Sequence, residues 1–288
     1  MLEVFDLRLL NVGYDPIGEN WQWKDVCSPF ARIYLIDGGS ASLILEDKEI
    51  ELKPGHLYLI PPFKKHSCIG NKGFIHYYIH LYEWPGIGAG IFNEYDFFSE
   101  VRAQQGDKEI FQMLVNLFPE NQLNVSDPEI YDNYEELNTS CCNFSQRPPC
   151  ERMLAKGSML VLISRFLTSD AEKRPRHDPK IAKVCGYINT HISSDLSLQS
   201  LSEIACMSES HFLRVFKKEM GMTPAQYIIQ HRIETAQLLL LLDKEPVKNI
   251  ALTLGFSDPS HFVKTFKKIK GMTPNEFRMR SAPDLAIR

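Results

Sequence analysis

The chain of 288 residues has no Cys-x-x-Cys pair, no His-x-His, no uninterrupted apolar run longer than five residues and no marked excess of either charge. Each absence removes a class of protein. Its seven cysteines (27, 68, 141, 142, 150, 185 and 206) have no metal-site spacing, and an odd count with one adjacent pair suits reduced, buried thiols better than a disulfide framework. Runs such as Leu238–Leu242 are far too short to span a bilayer, and the opening MLEVFDLRLL carries acidic residues instead of a basic n-region. The expectation is a soluble, cytoplasmic protein with no membrane partner and no signal peptide. His76 and His80, four apart on an expected strand, would be about 13 Å apart, too far to share a metal ion. No metal, no cofactor and no enzymatic activity are therefore expected.

Charge is uneven along the chain. The formal net charge is -4, yet residues 178–288 hold 15 Lys+Arg against 11 Asp+Glu, leaving 17 against 25 for residues 1–177. The excess is small, so attraction to phosphate would depend on placing the basic residues on one face.

What is present in that last third is a duplication. LSEIACMSESHFLRVFKKEMGMTPAQY (residues 201–227) is followed by IALTLGFSDPSHFVKTFKKIKGMTPNEF (residues 250–277), and His211-Phe212, Phe216-Lys217-Lys218 and Gly221-Met222-Thr223-Pro224 recur fifty positions later. Two copies are too few for a solenoid. Each reads as helix, tight turn, helix and the start of a further helix. Ser208 suits an N-cap, Phe212, Val215 and Phe216 share a buried face, and Ser210, Arg214 and Lys217 share the opposite one. In the second copy Phe262, Phe266 and Ile269 are the expected buried stripe, opposite Ser260, Lys264 and Lys267. Thr223-Pro-Ala-Gln226 and Thr273-Pro-Asn-Glu276 read as capping boxes with Pro at the first helical position.

These residues, above all Gly255-Phe256-Ser257-Asp258-Pro259-Ser260-His261-Phe262 with Phe266-Lys267-Lys268 and Gly271-Met272-Thr273-Pro274, resemble the DNA-binding domain of the AraC/XylS family of bacterial transcription regulators. The resemblance covers about residues 178–280. It implies double-stranded DNA as partner, with base-contacting positions at Ser210, Leu213 and Arg214 in the first unit and Pro259, Ser260, Val263 and Lys264 in the second. Arg214 can pair with guanine O6 and N7, Leu213 and Val263 can at most meet thymine methyls, and Lys217, Lys218, Lys267 and Lys268, with Ser208 at the helix start, suit phosphates. The segment 224–242, about 28 Å if helical throughout, allows two recognition helices to reach adjacent major grooves about 34 Å apart. The first unit, with its arginine, is expected to supply most of the specificity and the second mostly phosphate anchoring.

Upstream, residues 30–82 read as short strands (32–36, 42–45, 49–52, 56–60 and 74–82) punctuated by Asp37-Gly-Gly, Lys53-Pro-Gly55 and Pro61-Pro62, the pattern of a small sandwich or barrel. Their order resembles the cupin-like sensor domain of many AraC-type regulators. The fold class expected is multi-domain: an all-β cupin-like barrel (about 20–90) with flanking helices (about 91–167), a linker at 168–179, and an all-α double helix-turn-helix domain (180–288). Helices are expected over 97–118, 128–137 and 148–167, the last with a stripe of Met153, Leu154, Leu160, Val161 and Leu167 serving both the core and a partner helix. By resemblance that helix would form a homodimer. His76, Tyr78 and His80 share one strand face, and with Trp21, Trp23 and Arg32 they are the candidates for binding a small polar effector. RNA polymerase would be a further partner if the protein activates. Two alternatives stand beside this reading: a cupin-type metalloenzyme fused to a DNA-binding domain, and a dimerising regulator without ligand.

Overall fold

The computed structural model describes residues 5–16, 21–45, 48–70, 73–84, 90–95, 97–132, 134–167, 178–242 and 245–280. Most of the expected linker lies outside these residues. They divide into two compact units, one within Asp6–Trp84 and Asp96–Thr168, the other within Ser169–Arg280 with Met1–Phe5 and Pro85–Tyr95.

In the first unit nine strands form two antiparallel sheets: β1 (Leu7–Pro16), β2 (Gln22–Val26), β3 (Ala31–Gly38), β4 (Ala41–Leu45), β5 (Lys48–Leu52), β6 (His56–Ile60), β7 (His66–Gly70), β8 (Ile75–Glu83) and β9 (Glu100–Arg102). One sheet runs β1-β8-β3-β6-β9 and the other β2-β7-β4-β5. The expected cupin-like barrel is thus two facing sheets, whose shared core joins Tyr34, Tyr58 and Tyr78 of the first to Leu43, Leu52 and Cys68 of the second. In β4 burial alternates, with Ala41, Leu43 and Leu45 inside, as one half-buried face requires. β8 is buried on both faces, because helices cover the outer side of its sheet.

Those helices are α2 (Asp107–Leu117), α4 (Tyr134–Gln146) and α5 (Pro149–Ser164), which follow the short α1 (Ile91–Glu94) of the other unit and, in the case of α4, the single turn α3 (Pro128–Tyr131). A helix over 97–118 is only partly found. Residues 100–102 instead extend the free edge of β6, with Tyr58 donating to Glu100 at 3.1 Å, and the helix starts at Asp107 after Gly106 turns the chain at φ 93°. On α5 the stripe is inverted. Ala155, Met159, Leu162 and Ile163 face inward, whereas Met153 (72% exposed), Leu154, Leu160 and Val161 face outward. The helix is apolar on two sides, and the series at i, i+4, i+7 and i+8 is the one that packs.

The second unit is helical: α6 (Pro179–Thr190), α7 (Leu198–Ile204), α8 (Glu209–Met220), α9 (Pro224–Leu242), α10 (Val247–Thr253), α11 (Pro259–Lys270) and α12 (Pro274–Arg280). It has two cores. Ile181, Val184 and Ile188 of α6 pack with Leu201, Phe212, Phe216, Tyr227 and Ile228; Ile233, Ala236 and Leu240 of α9 pack with Ile250, Leu254, Phe256, Phe262 and Phe266. The expected helix 224–242 is therefore a structural member of both halves. Ile269 departs from expectation and is exposed, since Phe262 and Phe266 already fill the second core.

In the first unit the fully buried Asp107 accepts from Arg165 Nε at 3.1 Å and from the Gln104 amide at 2.7 Å, tying α2 to the end of α5. Arg165→Ala would leave a buried carboxylate without its countercharge and is expected to cost about 3 kcal/mol, measured as a shift in the urea unfolding midpoint of the full chain.

Candidate functional site

The two helix-turn-helix units close in the same way. α8 and α11 both end on a left-handed glycine, Gly221 at φ 71° and Gly271 at φ 77°, whose amides return to Lys217 O and Lys267 O at 3.0 and 2.9 Å. The chain re-enters a helix at once through a reciprocal capping box. The Thr223 amide donates to Gln226 Oε1 at 2.9 Å and the Gln226 amide to Thr223 Oγ1 at 3.3 Å, mirrored by Thr273 and Glu276 at 2.6 and 3.2 Å. The starts differ. Asp258 caps α11 by accepting from the Ser260 and His261 amides at 2.8 and 3.3 Å, which hold its carboxyl below the usual range, whereas Ser208 occupies the N-cap position of α8 without a side-chain bond.

Opposite the buried phenylalanines each helix presents a polar face. Ser208, Ser210, Arg214, Lys217 and Lys218 are exposed in the first unit, and Ser260, Lys264, Lys267 and Lys268 in the second, while Leu213, Pro259 and Val263 are half-buried at the margin. Arg214 Nη2 lies 3.1 Å from His211 Nδ1.

Comparison with known proteins bears on this unit. Residues 201–280 match the model of a helix-turn-helix domain family. The probable transcriptional regulator LumQ of Photobacterium leiognathi is 31% identical over 100 residues, 35% of this chain and 40% of LumQ. An uncharacterized HTH-type transcriptional regulator of Staphylococcus aureus is 41% identical over 81 residues, 28% of this chain and 11% of that protein. The chain thus spans well under half the length of these relatives. Among solved structures, ToxT of Vibrio cholerae aligns over 96% of this chain and 99% of its own, at 15% identity and a TM-score of 0.47. The C-terminal unit carries an AraC-type helix-turn-helix domain. Within this AraC-type domain Ser210, Arg214 and Lys217 of α8 and Ser260, Lys264 and Lys267 of α11 are exposed, on two helices that end on the same glycine cap.

The other candidate set lies between the sheets of the first unit, and strand register brings it together. Asn11, His80 and Arg32 are directly paired across β1, β8 and β3; Gly13, Tyr78 and Tyr34 form the next row, and Asp15, His76 and Ile36 the third. Gly13 is required there, since a Cβ would overlap the Tyr78 ring. Trp21 packs on His76 with ring centroids 5.3 Å apart, and His76, Tyr78 and His80 follow one another at 5.9 and 5.3 Å. All are buried, so the polar strand face meets side chains where solvent was a possible neighbour. Trp23 sits half-buried beside this cluster.

Arg32 is 1% exposed. Its Nη2 donates to Ser28 at 2.7 Å and reaches Asp132 at 3.3 Å and the Tyr131 hydroxyl at 3.4 Å, and Ser28 in turn donates to Asp132. Tyr131 stacks on His80 at 5.2 Å, and His80 Nδ1 donates to Asn11 Oδ1 at 3.4 Å. Sequence reasoning missed Ser28, four residues before Arg32, and Asn11, the buried His66, Tyr131 and Asp132, which reach this cluster from other elements. Arg32 Nε, His76 Nδ1 and Trp23 Nε1 are buried without a hydrogen-bond partner among the described residues. No group of three or more His, Cys, Asp or Glu is placed to hold a metal ion among those residues, and none of the seven cysteines is in a disulfide.

Burial pushes His66 down to about 4 and His76 down to about 3 from the ordinary 6.5, and holds His80 well below it, with the Arg32 charge adding to the effect on His66 and His80. Between 6.5 and these values the unfolded chain binds protons that the folded chain refuses. The stabilisation is therefore complete above pH 6.5 and is lost as pH falls. Relative to pH 8, His76 alone is expected to remove about 2 kcal/mol at pH 5. Calorimetry of the full chain from pH 8 to pH 5 should show the transition of the sandwich falling, and His76→Gln should flatten that slope.

Proposed function

We propose that the chain is a sequence-specific DNA-binding transcription regulator, acting in the cytoplasm, in which α8 and α11 enter two adjacent major grooves. The observation that carries this reading is the pair of exposed basic helix faces, one on each half of a single framework joined by the 19-residue α9, about 28 Å long. Arg214 reads a base, guanine by geometry, and Ser210 and Leu213 flank it. On α11 Pro259, Ser260, Val263 and Lys264 face the groove with no arginine among them, so the first half supplies more of the specificity and the second more of the phosphate anchoring. Lys217, Lys218, Lys267 and Lys268, with Ser208 at the start of α8, lie along the backbone.

The outward face of α5 supports homodimerisation. Met153, Leu154, Leu160 and Val161 are exposed around Gly157, where an added Cβ would meet nothing of this chain, so a second helix can approach closely at that point. The buried polar atoms without partners, Arg32 Nε and His76 Nδ1, support a small polar effector held among Trp21, Trp23, Arg32, His76, Tyr78 and His80. A second reading, a dimerising regulator without ligand, is favoured by rings already packed 5 to 6 Å apart in that interior. In either reading RNA polymerase is the further partner if the protein activates, and no catalytic role is assigned.

Binding to duplexes selected from random sequence tests the reading. Arg214→Ala is expected to cost about 1 to 3 kcal/mol on the selected site and to relax one base position, while Lys217→Ala weakens selected and scrambled duplexes alike and lowers the salt slope by about 1. Equal losses on both duplexes for Arg214→Ala would sink the assignment. Leu160→Glu with Val161→Glu is expected to turn a dimer into a monomer in sedimentation without lowering the unfolding temperature, since neither side chain is in the core. Thermal shifts across a metabolite panel separate the effector reading from the ligand-free one.

A further inference from the structure

Arg232 stands at the ninth position of the nineteen in α9, between the turn that packs into the first core and the turns that pack into the second. Its guanidinium is taken up by main-chain carbonyls. Nε donates to Ile192 O at 2.9 Å and Nη2 to Ser194 O at 2.8 Å, both in the loop that leaves α6 for α7, while Nη1 donates to Gly255 O at 3.0 Å, in the turn between α10 and α11. The Phe256 ring, part of the second core, lies 5.6 Å from the guanidinium carbon. Three carbonyls from two halves are thus held by one rigid fork of donors.

The two loops also touch each other. Gly255 has φ 76°, and a Cβ there would stand 2.5 Å from Ser193 O and 2.8 Å from Arg232 Nη2. One loop carries the chain into α7 and then α8; the other carries it directly into α11. The contact that fixes these loops therefore fixes the two basic helices against each other.

We infer that Arg232 is a positioning residue that sets the distance and phase between the two helix-turn-helix units, and so the half-site spacing that the protein accepts. This rests on the DNA-binding reading above. Arg232 touches no base. A helix shared by two cores can still bend or twist at its middle, and an error of one base pair in B-DNA is a shift of only about 3.4 Å. Carbonyl oxygens are fixed acceptors, so bonds to them from a planar donor resist both motions.

The experiment uses the full chain, its random-selected two-half-site duplex, the same duplex with one or two base pairs inserted between half-sites, and a duplex keeping only the half-site read by the first unit. For the wild type an insertion is expected to lower affinity about tenfold or more, because the second unit can no longer engage together with the first. Arg232→Met, which keeps the stem and removes the donors, is expected to keep single-half-site affinity within about twofold, to lose about tenfold on the native duplex, and to pay less than about threefold for the insertion. Arg232→Lys, one donor group in place of a fork, should fall between them. A general loss of folding predicts otherwise, a parallel loss on every duplex with a lowered unfolding temperature. The inference is overturned if Arg232→Met keeps the wild-type spacing penalty, if its single-half-site affinity falls as far as its two-half-site affinity, or if both variants fail to fold. A wild type that selects no duplex overturns the DNA-binding reading itself, and this inference with it.

Discussion

One helix has to satisfy two hydrophobic cores. α9 supplies Tyr227 and Ile228 to the first and Ile233, Ala236 and Leu240 to the second, so its apolar residues cannot keep to one stripe. The cost is a helix apolar almost all round in its C-terminal half. The gain is that one continuous helix, braced at its middle by Arg232, and no flexible connector, separates the two basic faces. Everything proposed about DNA depends on that rigidity, and the capping boxes at Thr223 and Thr273 show the same device used twice, to start a helix within three residues of ending the previous one.

The sandwich obeys a different constraint. Between its sheets, alternate residues of β1, β3 and β8 must occupy a dry space, and here those residues include Asn11, Arg32, His76, Tyr78 and His80. Burying a guanidinium is tolerable only with acceptors around it, which Ser28, Tyr131 and Asp132 provide from two separate segments. The neutral histidines are the complement of that choice. Buried beside the Arg32 charge, an imidazolium at His80 would be a further cation with no carboxylate of its own.

How much of this could be read from the chain depends on where each signal lies. The helix-turn-helix units were legible because their information is local: glycine at a left-handed position, Thr-Pro-x-Gln or Thr-Pro-x-Glu just after it, and phenylalanines four apart. β6 was legible for the same reason, as His56–Ile60 stands between Lys53-Pro-Gly55 and Pro61-Pro62. β1 was not. Leu7–Pro16 is buried on both faces over much of its length and so shows no alternation, and β9 is a strand only because β6 has an edge to offer. The α5 stripe was seen, but its expected part in the core falls instead to Ala155, Met159, Leu162 and Ile163, since both sides of the helix are apolar. Tyr131 and Asp132 meet Arg32 from about a hundred residues away, and Arg232 binds main-chain carbonyls, which no residue type announces.

The duplication in the sequence and the duplication in space do not share a boundary. In the chain the copies are separated by residues 228–249; in the fold the last helix of one half is the first helix of the next, with α6 to the first core what α9 is to the second. Neither half is a transferable module. A recombination event that exchanged one reading head for another would have to cut through the middle of α9 and still leave Tyr227, Ile228 and Ile233 facing their proper cores. New specificity in such a protein is therefore more accessible by changing single side chains on α8 and α11 than by exchanging halves.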